Sequence, residues 1–187
     1  MTVVLVEGTG DQRALPILVH RVRGGTRIRP INMRGKSNMV RRERGFEDTV
    51  RRQYALGERS FVVLMDGDVT SAPYQSLEEE RRDMRRRARS LAQELQVSVR
   101  VCWAVLEMES WLIGGIRPGS TYCSLRQVGK MPANSETAPH DPKQWLEDHL
   151  VNQEYSPRTQ ECLAHRIDLR EATKRNRSMV LFFNNLV

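Results

Sequence analysis

The stretch TVVLVEGTGD, residues 2–11, joins an unbroken apolar run to two acidic residues. Four consecutive aliphatic side chains, Val3 to Val6, are typical of a strand that is buried on both faces of a sheet. Glu7 follows this run directly, and Asp11 follows a short turn of two glycines and a threonine. A buried carboxylate costs several kcal/mol unless a partner, a proton or a metal ion compensates it. The stretch therefore predicts a compensating group beside Glu7.

Further apolar segments recur along the chain and alternate with helical ones. SFVVLMDGD (60–68) and SVRVCWAVLEMES (98–110) each predict a strand, and a shorter strand is predicted within GGTRIRPINMRGKS (24–37). Between them, apolar residues recur at helical spacing, most clearly in SLEEERRDMRRRARSLAQELQV (76–97). This alternation predicts an α/β fold, a Rossmann-like parallel sheet of about four strands with helices on both faces.

The chain changes in character after residue 115. The following residues are polar and rich in proline, glycine and serine, which predicts a loop. An Asp-Pro pair at 141–142 and a Ser-Pro pair at 156–157 each provide a helix cap followed by a first-turn proline. We therefore expect an α/β domain over residues 1–115 and a loop and helical extension over 116–187, packed on the same domain.

Composition narrows the class of protein. The 187 residues are 39% hydrophobic and carry a net charge of +7, mostly from arginine, which favours a nucleic-acid partner. No apolar stretch is long enough to span a membrane, and no signal peptide is recognisable. The cysteines, Cys102, Cys123 and Cys162, are odd in number and form no CxxC pair. They predict three reduced thiols in a cytoplasmic protein.

Three of the predicted strands end in acids. Glu7 closes the first, Asp66 and Asp68 the third, and Glu107 and Glu109 the fourth. Because ligands of parallel α/β sheets lie at the carboxyl ends of the strands, these groups are expected to converge. Like charges at close range repel unless a cation neutralises them, and Mg²⁺ or Mn²⁺ prefers oxygen ligands. The predicted metal ligands are Glu7, Asp11, Asp66, Asp68, Glu107 and Glu109.

A structural interpretation of the same acids stays open. Taken singly, each could cap a helix, Asp11 the first helix and Glu109 a short helix that starts there. If the segment after the fourth strand stays extended, Glu107 and Glu109 share a face and both reach the site. If a helix begins at Glu109, only one of the pair reaches it, and Glu109 is the favoured one.

These motifs carry a family resemblance. VEGTGD resembles the EGxxD motif, and LMDGD the DxD motif, of the TOPRIM domain found in topoisomerases, DnaG-type primases and OLD nucleases. The segments VLEMESWLIGG, KQWLEDHL, EYSP and AHRIDLREA resemble a stand-alone bacterial TOPRIM-like family of unassigned function that is often encoded beside AAA- or ABC-type ATPases. The resemblance extends over most of the chain.

The resemblance implies a Mg²⁺- or Mn²⁺-dependent nuclease, the effector of an ATPase-linked defence or toxin system. By this resemblance Glu7 binds metal or acts as general acid or base, and Asp66 and Asp68 bind magnesium. These three are the expected catalytic residues. Asp11 matches an acid that helps to hold the metal, and Glu107 and Glu109 match the ExE pair.

Basic residues supply the candidate nucleic-acid contacts. A run of arginines lies on the helix of 76–97, and a glycine-lysine loop follows the second strand. The run has two interpretations, a solvated helix face, which the pattern alone favours, and a track for phosphates. The candidate contacts are Arg34, Lys36, Arg81, Arg82, Arg85, Arg86 and Arg89.

The sequence is also compatible with two alternative functions. FVVLMDGDVT also fits the nucleophile motif of haloacid-dehalogenase phosphatases, with Asp66 as nucleophile, Asp68 as acid and Lys130 or Lys143 as the later lysine. The chain is also small, which fits a regulatory or binding subunit that acts only within an ATPase complex.

Overall fold

The computed structural model describes residues 1–68, 70–121, 123–126, 128–129, 131–151 and 154–186. The described residues contain one four-stranded parallel sheet in the order β2-β1-β3-β4. The strands are β1 (Thr2–Val6), β2 (Ile28–Asn32), β3 (Ser60–Met65) and β4 (Ser98–Trp103). The predicted α/β class is confirmed.

The strand order places β1, β3 and β4 side by side. β1 pairs with β3 and β3 pairs with β4, with Leu5 opposite Val63 and Met65 opposite Trp103. β2 lies at the edge, where a strand tolerates Pro30 because its missing N–H is not needed for a second neighbour. The residues that follow β1, β3 and β4 therefore share one edge of the sheet.

Helices cover both faces of the sheet. They are α1 (Thr9–Arg23), α2 (Lys36–Val40), α3 (Phe46–Ala55), α4 (Leu77–Leu95), α5 (Glu109–Gly114), α6 (Pro142–His149), α7 (Pro157–Arg166), α8 (Leu169–Arg175) and α9 (Arg177–Asn184). Alternate residues of β1 point to opposite faces. Val3 and Leu5 pack with α2, α3 and α4, whereas Val4 and Val6 pack with α1 and α5 to α9. Full burial on both sides explains the continuous apolar strands.

The helices after residue 115 share a hydrophobic core with the sheet. Leu146 of α6, Leu163 of α7 and Phe182 of α9 are buried in the same cluster as Val4. Arg21 of α1 donates hydrogen bonds to carbonyl oxygens at the end of α7, at 2.7 and 2.9 Å. The extension therefore packs on the α1 face of the sheet.

The cysteine prediction is wrong for two of the three thiols. Cys123 and Cys162 form a disulfide with their Cα atoms 5.8 Å apart, whereas Cys102 is free and buried. The bond joins the long loop to α7 across 39 residues of sequence, a proximity that only the tertiary fold creates. The cytoplasmic location expected from cysteine usage loses that support.

Two local predictions also need correction. β4 ends at Trp103, well before Glu107, and α5 begins at Glu109, so these two acids do not lie on an extended strand. The short helix α2 occupies part of the predicted glycine-lysine loop. Among the described helices, none has the length and apolar character that crossing a bilayer requires.

Gly67 is needed where the turn after β3 touches the turn after β4. Its N–H donates to the carbonyl of Leu106 at 2.6 Å, and an added Cβ would lie 2.4 Å from the carbonyl oxygen of Val105. Because backbone must move, Gly67→Ala is expected to lower the unfolding free energy by about 1–3 kcal/mol. Chemical denaturation measures this. Gly25→Ala is the matched control, since its Cβ meets nothing within 4 Å. Equal stability of the two variants would contradict the packing argument.

Candidate functional site

Glu7 is hydrogen-bonded to Asp66, the residue that directly follows the neighbouring strand β3. Its Oε1 accepts a hydrogen bond from the backbone N–H of Asp66 at 2.8 Å. The Oδ1 of Asp66 in turn accepts from the backbone N–H of Met108 at 3.1 Å. These two bonds tie the ends of β1 and β3 to the turn that follows β4. They orient both carboxyl groups but leave oxygen atoms available on each.

Two helices add a carboxyl group each. Asp11 lies in the first turn of α1, where its Oδ2 accepts from the N–H of Gly8 at 3.1 Å. It is therefore the third helical residue, and Gly8 is the N-cap, which corrects the predicted cap position. Its Oδ1 accepts from Nε2 of Gln160 on α7 at 3.0 Å. Glu109 opens α5 and is only 2% exposed.

These carboxyl groups line one cavity of about 420 Å³, hereafter the acidic cavity. Four of the six predicted metal ligands lie on its wall: Glu7, Asp11, Asp66 and Glu109. They directly follow β1 and β3 or lie in the first turns of α1 and α5. The cavity therefore lies at the carboxyl edge of the sheet, where α/β proteins bind ligands.

Burial raises the pKa values of acids in the acidic cavity. Burial raises the pKa of Glu7 to about 7, and the charges of Asp11 and Asp68 add to the rise, against the hydrogen bond from Asp66. Burial likewise raises the pKa of Glu109 to about 8. The pKa of Asp66 lies well above its usual range, first from burial and then from the neighbouring carboxylates. A further cation would lower all three pKa values.

The other two predicted ligands lie outside this wall. Asp68 is exposed. Burial raises the pKa of Glu107, and the charge of Asp68 adds to the rise. Glu107 is 8% exposed and forms an ion pair with Lys143, Nζ to Oε1, at 2.7 Å. Within the described ranges, no three His, Cys, Asp or Glu side chains are arranged to hold a metal ion. The acids of the cavity therefore lie close together, but their side chains are not arranged as a metal-coordination site.

Six residues of the extension complete the cavity and were not predicted as site residues. They are Lys143, Glu147, Tyr155, Ser156, Pro157 and Gln160. Burial, and then the charge of Glu109, raises the pKa of Tyr155 well above its usual range. The phosphatase interpretation of the sequence uses either Lys143 or Lys130 as its later lysine. Lys130 lies outside the described residues. No spacing in the sequence links these positions to the strand ends.

Lys143 supplies a cation to the acidic cavity, and its removal is informative. Lys143→Met is expected to lower the melting temperature in EDTA at pH 8 by about 2–4 °C, or about 1 kcal/mol. The effect is modest because the side chain is half exposed. Mg²⁺ should restore more stability in this variant than in the wild type. Lys174→Met, which removes an exposed pair with Glu171, is the control. An unchanged response to Mg²⁺ would contradict this role.

Two of the predicted nucleic-acid contacts have partners within the protein. The ammonium of Lys36 is buried, 2.7 Å from the carbonyl oxygen of Asp66 and 3.1 Å from a carboxylate oxygen of the buried Glu80. It therefore anchors the turn after β3. Arg86 forms an ion pair with Asp83. Arg34 is exposed in the turn after β2.

The remaining predicted arginines form a continuous surface on α4, hereafter the arginine face. They line a concavity of about 720 Å³: Arg81, Arg82, Arg85 and Arg89. Arg81 also reaches the turn between the two DxD aspartates, since a Cβ on Gly67 would lie 2.7 Å from its Nη2. The arginine face therefore touches the turn that carries Asp66 into the acidic cavity.

Comparison with known proteins adds little to this geometry. No family model matches the chain, and no curated protein matches it. A solved structure named for cobalamin (vitamin B12) biosynthesis, CbiX from Marinobacter aquaeolei, is similar over 56% of this chain and 81% of that one. The identity is 16% and the TM-score 0.30, values that carry no argument about function.

Proposed function

We propose that this protein is a divalent-metal-dependent phosphodiesterase that cleaves nucleic acid. One observation carries the proposal: carboxyl groups from β1, α1, β3 and α5 line a single cavity beside an arginine-covered helix. Carboxylates suit a hard metal ion, and arginines suit a phosphate backbone. The family resemblance of the EGxxD and DxD motifs agrees with this assignment.

The donor set fits Mg²⁺ or Mn²⁺ in its chemistry. The five acids on the cavity wall offer oxygen atoms. The pKa values of Glu7 and Glu109, raised first by burial, indicate that a cation is needed to keep these groups ionised near neutral pH. Glu7 and Asp66 would hold the ion, with Asp11 and Glu109 assisting after side-chain rotation. When bound, such an ion polarises a phosphodiester and lowers the pKa of an attacking water.

The chain's own residues have separate tasks in this proposal. The bond from the Asp66 N–H orients Glu7, and the bond from the Met108 N–H orients Asp66. Lys143, half exposed at the cavity, can exchange its partner Glu107 for a phosphate oxygen. The arginine face holds the polymer backbone, with affinity that falls as salt rises.

The direct test is incubation of the purified chain with plasmid and single-stranded substrates in Mg²⁺, Mn²⁺ and EDTA. We expect cleavage or nicking with either metal and none in EDTA. Complete absence of metal-dependent cleavage on all substrates would reject the proposal.

Phosphomonoester hydrolysis is a second candidate, because Lys143 shares the cavity with Asp66 as a phosphatase lysine would. Two features disfavour it: Asp68 lies outside the cavity wall, and the Oδ1 of the half-buried Asp66 is engaged by a backbone N–H. Hydrolysis of p-nitrophenyl phosphate without cleavage of diesters would favour this candidate over the first.

A further inference from the structure

A second cavity lies beside the arginine face, at the end of β4. It has a volume of about 330 Å³ and is lined by Trp103, Arg81, Arg85, Arg177 and residues of α9. The guanidinium carbons of Arg85 and Arg81 lie 5.0 and 5.8 Å from the centroid of the Trp103 ring. We call this arrangement of ring and guanidiniums the Trp103 platform.

Two buried donors of the Trp103 platform have no acceptor in the part of the chain that the structure describes. The indole N–H of Trp103 and the Nε–H of Arg81 form no hydrogen bond with any described residue. Buried polar groups are nearly always paired. The side chains that carry these two donors line the cavity, so a ligand or ordered water that enters it can supply the acceptors. Carbonyl or phosphate oxygens of a ligand would accept hydrogen bonds from both N–H groups.

We propose that the Trp103 platform binds a base of a single-stranded nucleic acid while the arginine face binds the adjoining phosphates. Aromatic rings and arginine planes stack on unpaired bases, which duplexes keep stacked inside the helix. The two surfaces share Arg81 and Arg85, so one strand can engage both. Arg81 also contacts the turn at Gly67, which leads to the acidic cavity.

This inference rests on the proposed function, because it names the substrate class of that site. Binding in EDTA separates the two: selective binding without cleavage in Mg²⁺ would reject the nuclease and keep the platform. Cleavage of duplexes without preference for single strands would keep the nuclease and reject the platform.

The test is fluorescence anisotropy with a labelled 20-nucleotide thymidine strand, alone and paired with its complement, in EDTA. The single strand should bind at least about tenfold tighter than the duplex. Arg85→Ala and Arg85→Lys should both weaken single-strand binding by about tenfold, since the lysine keeps the charge but loses the stacking plane. Arg86→Ala, on the same helix but paired with Asp83, should change binding less than twofold.

Three results would overturn the platform. They are equal binding of single strand and duplex, full retention of affinity in Arg85→Lys, or equal losses in Arg85→Ala and Arg86→Ala. Each would show that binding depends on charge alone. Circular dichroism of the variants excludes misfolding, and Arg85 is suited to replacement because its side chain is exposed.

Discussion

Replacing Glu7 by glutamine together with Asp66 by asparagine is expected to lower metal-dependent cleavage at least about 1,000-fold, a loss of about 4 kcal/mol of transition-state stabilisation. The substitutions remove two negative charges from the acidic cavity. They preserve an oxygen on each side chain, so the bonds from the Asp66 and Met108 N–H groups can persist. The loss should therefore come from metal binding and not from unfolding.

Turnover with a plasmid or oligonucleotide substrate, measured across Mg²⁺ and Mn²⁺ concentrations, checks this expectation. Glu43→Gln is the control, because it removes an exposed negative charge that does not line the acidic cavity. A folded double variant that cleaves as fast as Glu43→Gln would show that the strand-end acids take no part in catalysis.

The stability of the protein in EDTA should fall as the pH rises from 4.5 to about 8. The ordinary pKa of 4.5 is raised to about 7 for Glu7 and to about 8 for Glu109. The folded chain then binds more protons than the unfolded chain in this range, so the stabilisation is complete below 4.5 and is lost as pH rises through the folded pKa values. For Glu7 alone the difference corresponds to about 3 kcal/mol.

Mg²⁺ should reverse this loss at pH 8, by about 2.7 kcal/mol when its free concentration is 100 times the dissociation constant. Urea unfolding at several pH values, with EDTA and with Mg²⁺, measures both effects. Glu109→Gln should flatten the pH dependence, whereas Glu43→Gln should not. Stability that rises with pH in EDTA over this range would indicate carboxylates with ordinary partners. It would contradict the raised pKa values of Glu7 and Glu109.

The sequence predicts the sheet well because burial on both faces requires continuous apolar runs such as Val3 to Val6. The same rule misplaces the end of β4. The apolar run continues past Trp103, but the chain leaves the sheet and turns so that Leu106 meets Gly67. A buried loop and a buried strand have the same hydrophobic signal, so composition alone does not separate them.

The acidic cavity was predictable only in part. Acids at the ends of parallel strands come together by topology, which brings Glu7 and Asp66 to one edge. Lys143 and Tyr155 come from an extension whose packing on α1 no local pattern describes. The buried pair of Lys36 with Glu80 was not predictable from local sequence either, because Lys36 lies in a polar turn and Glu80 in a stretch of charges that resembles a solvated surface.

The central claim is that the strand-end acids bind a divalent metal, and manganese anomalous scattering tests it most directly. Crystals grown with Mn²⁺ should show an anomalous peak in the acidic cavity, at ligand distance from Glu7 and Asp66. The peak should be absent in the Glu7→Gln, Asp66→Asn variant. A wild-type crystal at saturating Mn²⁺ with no peak in the cavity, and with Lys143 still paired to Glu107, would contradict the account.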